Sequence, residues 1–227
     1  SVALTFAFSL GEARPLSTLQ SYMQYPIDRD YGTMVRPNDE VGLSLAKNAS
    51  QQPLTVALVN SKADLSNAID KQADVIAING ELNDLDTIFL NDNQALTGGA
   101  FVLENGISLD LGRNGKLAAA TGQNLIQVAK NNQITNINLH ANTEQFTITN
   151  GADQQGTSVG DLNINNVTSN TGVVFNINDG STDSNLTLSN SQFLLGEAND
   201  KKAINFTQYS GASSIAINNN IIQFGKQ

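Results

Sequence analysis

Cysteine and tryptophan are absent from this 227-residue chain, histidine occurs once, and aromatic residues make up only 6%. Without cysteine there is no thiolate metal site, no thiol nucleophile and no disulfide staple, a pattern that suits an exported bacterial surface protein at least as well as a cytosolic one. Basic residues are also scarce: 12 Lys and Arg stand against 21 Asp and Glu, for a net charge of -9. That balance leaves no basic patch to neutralise phosphates, and no aromatics interleave with the lysines, so nucleic acid is not an expected partner. No apolar run is long enough for a transmembrane helix. The opening "SVALTF" has no initiator Met, charged n-region or cleavage site, and the expectation is a mature protein or an excised fragment.

What is present is 40% hydrophobic residues set among much Asn, Gly, Ser and Thr. This is the composition of a turn-rich all-β protein that buries aliphatic side chains rather than large rings. The length suits one sizeable domain with an N-terminal extension. Residues 1–11, "SVALTFAFSLG", alternate with period two: Val2, Leu4, Phe6, Phe8 and Leu10 share one face, as in a half-buried strand. A strand of about ten residues tilted by about 45° rises roughly 23 Å, close to the apolar band of an outer-membrane barrel. An edge or sandwich strand has the same alternation.

Residues 12–53 read as a linker punctuated by Pro15, Pro26, Pro37 and Pro53, with Leu16, Leu19, Tyr22 and Met23 spaced for a short amphipathic helix that ends before Pro26. Residues 54–80 read as strand, helix, strand: "TVALV", then Ser61 and Asp64 as an S-x-x-D start with Leu65, Ala68 and Ile69 on one helix face, then "DVIAI". From 81 to 227 there are only short alternations, among them 101–103, 107–111, 137–139, 162–164, 186–188 and 215–217. Three share a pattern of apolar, any, apolar, any, Asn: "LNINN" from Leu162, "LTLSN" from Leu186 and "IAINN" from Ile215 place Asn166, Asn190 and Asn219 at equivalent positions. One interval further back lies "INLHA", starting at Ile137, with Ala141 in place of the asparagine. A recurrence every few tens of residues implies stacked coils that bury their interiors against one another. Asn tolerates left-handed backbone and can bond its equivalent one coil away, so the expectation is an inward ladder of Asn166, Asn190 and Asn219 at a corner where each strand ends.

This organisation over 54–227 resembles the right-handed, single-stranded parallel β-helix of the pectate-lyase-like superfamily. There, "TVALVNSKADLSNAIDKQADVIAING" looks like the opening unit, whose short helix caps the stack, and "IFLNDNQALTGGAF" and "NLIQVAKNNQITNINL" look like the coils that follow. The strand at 1–11 and the linker around "YPIDRDYGTMVRP" resemble the end of an inverse autotransporter barrel of the intimin and invasin kind. That resemblance implies an upstream barrel in the bacterial outer membrane, a linker threading outward through its pore, and a passenger displayed at the cell surface or secreted.

Enzymes on such a fold are mostly polysaccharide lyases and hydrolases, which need either acids holding Ca²⁺ beside an Arg or Lys base, or an opposed pair of carboxylates. Beyond Arg36 the sole arginine is Arg113, in the turn-like "LGRNGK". Asp179 and Asp183 are spaced as in a turn, as are Glu81, Asp84 and Asp86, and a Ca²⁺ site at the former pair is the secondary reading. His140 stands alone and reads as a strand-end surface residue. No catalytic residue, metal site or cofactor is therefore expected. Three functions remain: a non-catalytic surface passenger acting as adhesin or stalk on a host-cell or matrix protein or glycan; a carbohydrate-binding or polysaccharide-cleaving protein; and a phage-like structural fibre.

Overall fold

A computed structural model describes residues 48, 50, 52–102, 108–111, 114–142, 144–151, 158–177, 184–195, 203–208 and 213–225. All belong to the compact unit Leu45–Gln227. The strand expected at 1–11, the helix expected before Pro26 and the linker up to residue 47 lie outside the described residues.

The described chain is mostly β, with large parallel sheets and one helix. It opens with β1 (Val56–Val59), α1 (Lys62–Asp70), β2 (Val75–Ile78), β3 (Glu81–Leu85), β4 (Ile88–Phe89) and β5 (Ala95–Thr97). A hairpin of β6 (Ala100–Val102) and β7 (Ser108–Asp110) precedes β8 (Lys116–Ala119), β9 (Ile126–Gln127), β10 (Gln133–His140), β11 (Ile148–Thr149), β12 (Asp161–Ser169) and β13 (Val173–Ile177). The chain closes with β14 (Ser184–Ser189), β15 (Gln192–Leu195), β16 (Ile204–Gln208), β17 (Ser213–Asn218) and β18 (Ile221–Phe224).

Parallel neighbours cannot be joined by a tight turn, so each return must cross elsewhere. Here the crossing is itself extended chain. The main sheet runs β1-β2-β5-β10-β12-β14-β17, and the second runs β16-β13-β11-β9-β4, the chain passing repeatedly from one to the other. In the main sheet Ala57, Ile76, Leu96, Ile134, Ile164, Leu188 and Ile217 are successive partners, and the longest return is the one from Leu96 to Ile134. Ile88, Ile126, Ile148, Val173 and Ile204 form the corresponding column of the second sheet. A third column, Leu82, Leu117, Leu139, Ser169, Phe193 and Ile222, runs through β3, β8 and the later halves of β10 and β12. These columns run through one continuous core, and each fully buried Ile or Leu in it contributes about 1.5–3 kcal/mol.

At the β1 end the core is covered by α1. Ser61 is its N-cap, its Oγ accepting from the Asp64 amide at 3.2 Å, while Asp64 Oδ2 accepts from the Asn60 amide at 3.2 Å. The first bond satisfies an amide that a nine-residue helix leaves open at its start, and the second ties down the residue before the cap. Leu65 and Ala68 are buried, and Ile69 packs half-buried against the same core. So short a helix is marginal alone and is held by this apolar face.

Three features depart from the sequence reading. First, the alternations at 101–103 and 107–111 are not successive coil strands: β6 and β7 pair antiparallel with each other, and Phe101 packs on Val75 and Ala95 on the other side of the main sheet from the core columns. This insertion accounts for the long return to Ile134. Second, the unit before "LNINN" is not "INLHA". Ile134 partners Ile164, so Asn136, not Ala141, is level with Asn166. The leading apolar position is filled by Asn132, which is fully buried and therefore broke the hydrophobic pattern. Its Nδ2 donates to the Asn91 carbonyl at 2.8 Å and the Gln94 carbonyl at 3.0 Å, and its Oδ1 accepts from the Ala129 amide at 2.7 Å. Third, the strand does not stop at Asn166; β12 runs through it.

Candidate functional site

Asn136, Asn166, Asn190 and Asn219 all have left-handed backbone, with φ of 53°, 51°, 52° and 53°. Short polar side chains bear that conformation at least cost. The consequence is visible in the pairing of β12: residues before Asn166 lie on β14, and Thr168 and Ser169 lie on β15, so the chain turns a corner at Asn166 without leaving the sheet. One rung earlier the corner meets Gly98, where a Cβ would stand 2.7 Å from the Asn136 carbonyl oxygen. Only glycine fits so close an approach.

The corner amides bond one another: Asn166 Nδ2 donates to Asn136 Oδ1 at 2.7 Å, and Asn219 Nδ2 to Asn190 Oδ1 at 2.8 Å. Asn166, Asn190 and Asn219 are, however, exposed, so the expected inward direction is corrected to an outer edge. A left-handed residue at the apex of a bend carries its side chain on the convex side. The inner side of the corner region is instead lined by small hydroxyls. Ser169 Oγ and Thr147 Oγ1 lie 2.7 Å apart, and Ser191 Oγ accepts from the Val167 amide at 3.1 Å.

A cleft of about 540 Å³ opens where the turn before β2 meets the turn before β5. Asn48, Gln72, Asp74, Asp92, Asn93 and Gln94 contribute most of its polar groups. Gln94 is buried and braces it, with Nε2 donating to the Ala73 carbonyl at 2.8 Å and Oε1 accepting from the Asn91 amide at 2.7 Å. Asp74 Oδ2 accepts from both the Thr55 amide and Thr55 Oγ1 at 2.7 Å, and Oδ1 accepts from Asn48 Nδ2 at 3.0 Å. Partial burial by itself would raise the Asp74 pKa, but the bonds from Thr55 and Asn48 outweigh it and hold the carboxyl below its ordinary range. Asp92 Oδ1 takes the Lys130 amide at 3.0 Å. The cleft thus presents amides and two carboxylates, suited to hydroxyl-rich ligands through hydrogen bonds. Sequence reasoning missed it. The signal was "NDNQ" at 91–94, a polar turn whose partners, Ala73 on one side and Asn132 on the other, belong to different returns of the chain.

The other candidates are spread apart. Arg113, Asp179 and Asp183 lie outside the described residues. His140 is exposed at the end of β10, with Nε2 3.5 Å from Asn170 Nδ2. Glu81 pairs with Lys116 at 2.8 Å, and that hydrogen bond chiefly lowers its pKa, while Asp84 lies 3.4 Å from Lys62. Asp86 is exposed. Among the described residues, no group of three or more His, Asp or Glu is placed to hold a metal ion, and no helix is long and apolar enough to cross a membrane. Comparison with family models, with curated proteins and with solved structures gave no match.

Proposed function

We propose that the chain is a passenger domain displayed at a bacterial surface, built as a right-handed parallel β-helix, whose role is adhesion or spacing rather than catalysis. The observation that carries this reading is the column from Ala57 to Ile217, in which the chain returns six times to the same line and stacks an aliphatic residue on its predecessor. At about 4.8 Å per parallel neighbour, these returns give a sheet about 30 Å long across its strands, a scaffold that presents turns along its length. In this reading residues 54–80 are the capping unit and 81–227 the coils. Residues 12–53 are the linker, and 1–11 the last strand of an upstream outer-membrane barrel, on the strength of their alternation and proline punctuation.

The cleft favours one second reading, a carbohydrate-binding surface, because Asn48, Asp74, Asp92 and Asn93 converge there and, among the described residues, neither carboxylate is held in a salt bridge. Both readings are tested together by incubating the 227-residue protein with glycan arrays, matrix proteins, polygalacturonate and alginate, with and without Ca²⁺. Retention on a glycan or matrix protein without cleavage is expected, and loss of glycan retention in Asp92→Ala with Asn93→Ala would locate it at the cleft. Unsaturated products or new reducing ends that vanish in Arg113→Ala would sink the passenger reading in favour of an enzyme.

A further inference from the structure

We propose that Asn79–Gly80 is a site of spontaneous covalent modification, closing to a succinimide and reopening as aspartate or isoaspartate, and that the fold favours it over the other Asn–Gly pairs of the described residues. Four such pairs occur in the sequence, at 79–80, 105–106, 114–115 and 150–151, and the second lies outside the described residues. Locally they are alike, since in each the glycine has no Cβ to hinder its own amide nitrogen. The reaction further needs that nitrogen free of a hydrogen bond, a side chain able to swing over it, and solvent to take its proton. Asn79–Gly80 has all three. The Gly80 amide donates to nothing among the described residues, whereas the Asn79 amide before it donates to the Val59 carbonyl at 2.9 Å. Asn79 is exposed, and its Nδ2 is held by a surface bond to Asn60 Oδ1 at 2.8 Å. Gly80 has a φ of 89°, with no atom within 4 Å of where a Cβ would stand, so the ring has room to form.

The other two pairs are closed for different reasons. At Asn114–Gly115 the nitrogen is occupied: the Gly115 amide donates to the Gly98 carbonyl at 3.0 Å, and Gly115 is buried so close to Gly98 that a Cβ would stand 2.3 Å from its Cα. At Asn150–Gly151 the side chain is clamped. Asn150 is 3% exposed, its Nδ2 donates to the Asn176 carbonyl at 2.8 Å and its Oδ1 accepts from the Asn176 amide at 3.0 Å, so its Cγ is held away from the next nitrogen. At residue 79, hydroxide removes the Gly80 amide proton and the nitrogen attacks Asn79 Cγ; as that bond forms, the Cγ–Nδ2 bond breaks and ammonia leaves. Water then opens the ring, at Cγ to give aspartate or at the backbone carbonyl to give isoaspartate. Nothing is oxidised or reduced. Either product removes the Nδ2 donor that faces Asn60 and adds one carboxylate. Isoaspartate also lengthens the main chain between β2 and β3, at the corner where the Gly80 carbonyl accepts from the Lys116 amide at 2.9 Å.

Incubation of the full chain at mildly alkaline pH, followed by digestion and peptide mapping that separates aspartate from isoaspartate, tests this. Both products are expected at residue 79, at a rate that rises with hydroxide, while Asn114 and Asn150 lag by about tenfold or more because a buried hydrogen bond must break before either can react. The same incubation in concentrated urea should bring the three sites together, since the fold rather than the dipeptide sets their order. An Asn79 that stays intact in the folded chain while it reacts in urea, equal modification of the three in the folded chain, or a folded order that persists in urea would overturn the proposal. None of these results depends on surface display or on a ligand in the cleft, so the modification and the proposed function fail or stand separately.

Discussion

The two ends of the main sheet are built from similar strands and treated differently. At the β1 end, α1 lays Leu65 and Ala68 over the core, and Asp74 ties the backbone before β1 to that before β2 through Thr55. At the β18 end the inward residues Ile222 and Phe224 stand 45% and 67% exposed, although their partners one rung below, Phe193 and Leu195, are 0% and 4% exposed. Composition does not distinguish the ends, since both consist of alternating aliphatic strands. The difference lies in whether another layer is present to remove them from water, and burial scales with that layer rather than with the residue.

The sharpest way to break this comparison is to truncate an aromatic at each level. Phe193→Ala should cost about 3–5 kcal/mol, because it leaves a cavity in a closed part of the core. Phe224→Ala should cost no more than about 0.5 kcal/mol in the monomer, as a substitution at an exposed position. Urea unfolding at low protein concentration measures both, and equal losses would show that the last rung is covered in solution.

At the closed end, Asp74→Ala removes an ionised acceptor from three donors and should cost about 1–2 kcal/mol at pH 7, a figure already reduced for its partial exposure. Its pKa is lowered by folding, so its contribution is present in full above the ordinary carboxylate range and is lost as pH falls below about 4 through the folded value. Unfolding curves of the two proteins should therefore converge in acid, and a gap that persists at pH 2 would show that the clasp works by shape rather than by charge.

The corner asparagines give an effect of the same order as the Asp74 clasp. Asn190→Ala should cost about 1–2 kcal/mol, mostly from left-handed backbone at φ 52°, and Asn190→Gly should recover most of it. Recovery by glycine would assign the role to the backbone. Equal damage from alanine and glycine would assign it to the exposed amide pair with Asn219.

How far the sequence carried can be judged at particular residues. The stacking of Leu162 on Leu186 and of Leu186 on Ile215 was readable as a recurring five-letter pattern, because both inward positions of each strand are apolar. One rung earlier the same reasoning slipped from Asn136 to Ala141. There Asn132 takes an inward place and is satisfied by carbonyls from an earlier turn, which no local pattern reveals. The cleft was illegible for a similar reason, since Asp74, Asn91 and Asp92 converge only once the chain has returned.

Local chemistry could therefore be read directly from the amino-acid sequence: period-two alternation specifies a strand with one apolar face, a Ser61–Asp64 pair starts a helix, and an Asn at the fifth position marks a left-handed corner. These depend on residues within a few positions of one another. Tertiary structure alone decided which strand lies beside which, because a parallel partner is chosen by where each return ends, and an insertion such as β6–β7 lengthens a return without altering the strand it leads to. It also decided burial. Leu188 and Ile217 have the same pattern and place, yet one is 0% and the other 49% exposed, since only a neighbour on the far side can exclude water from an inward face.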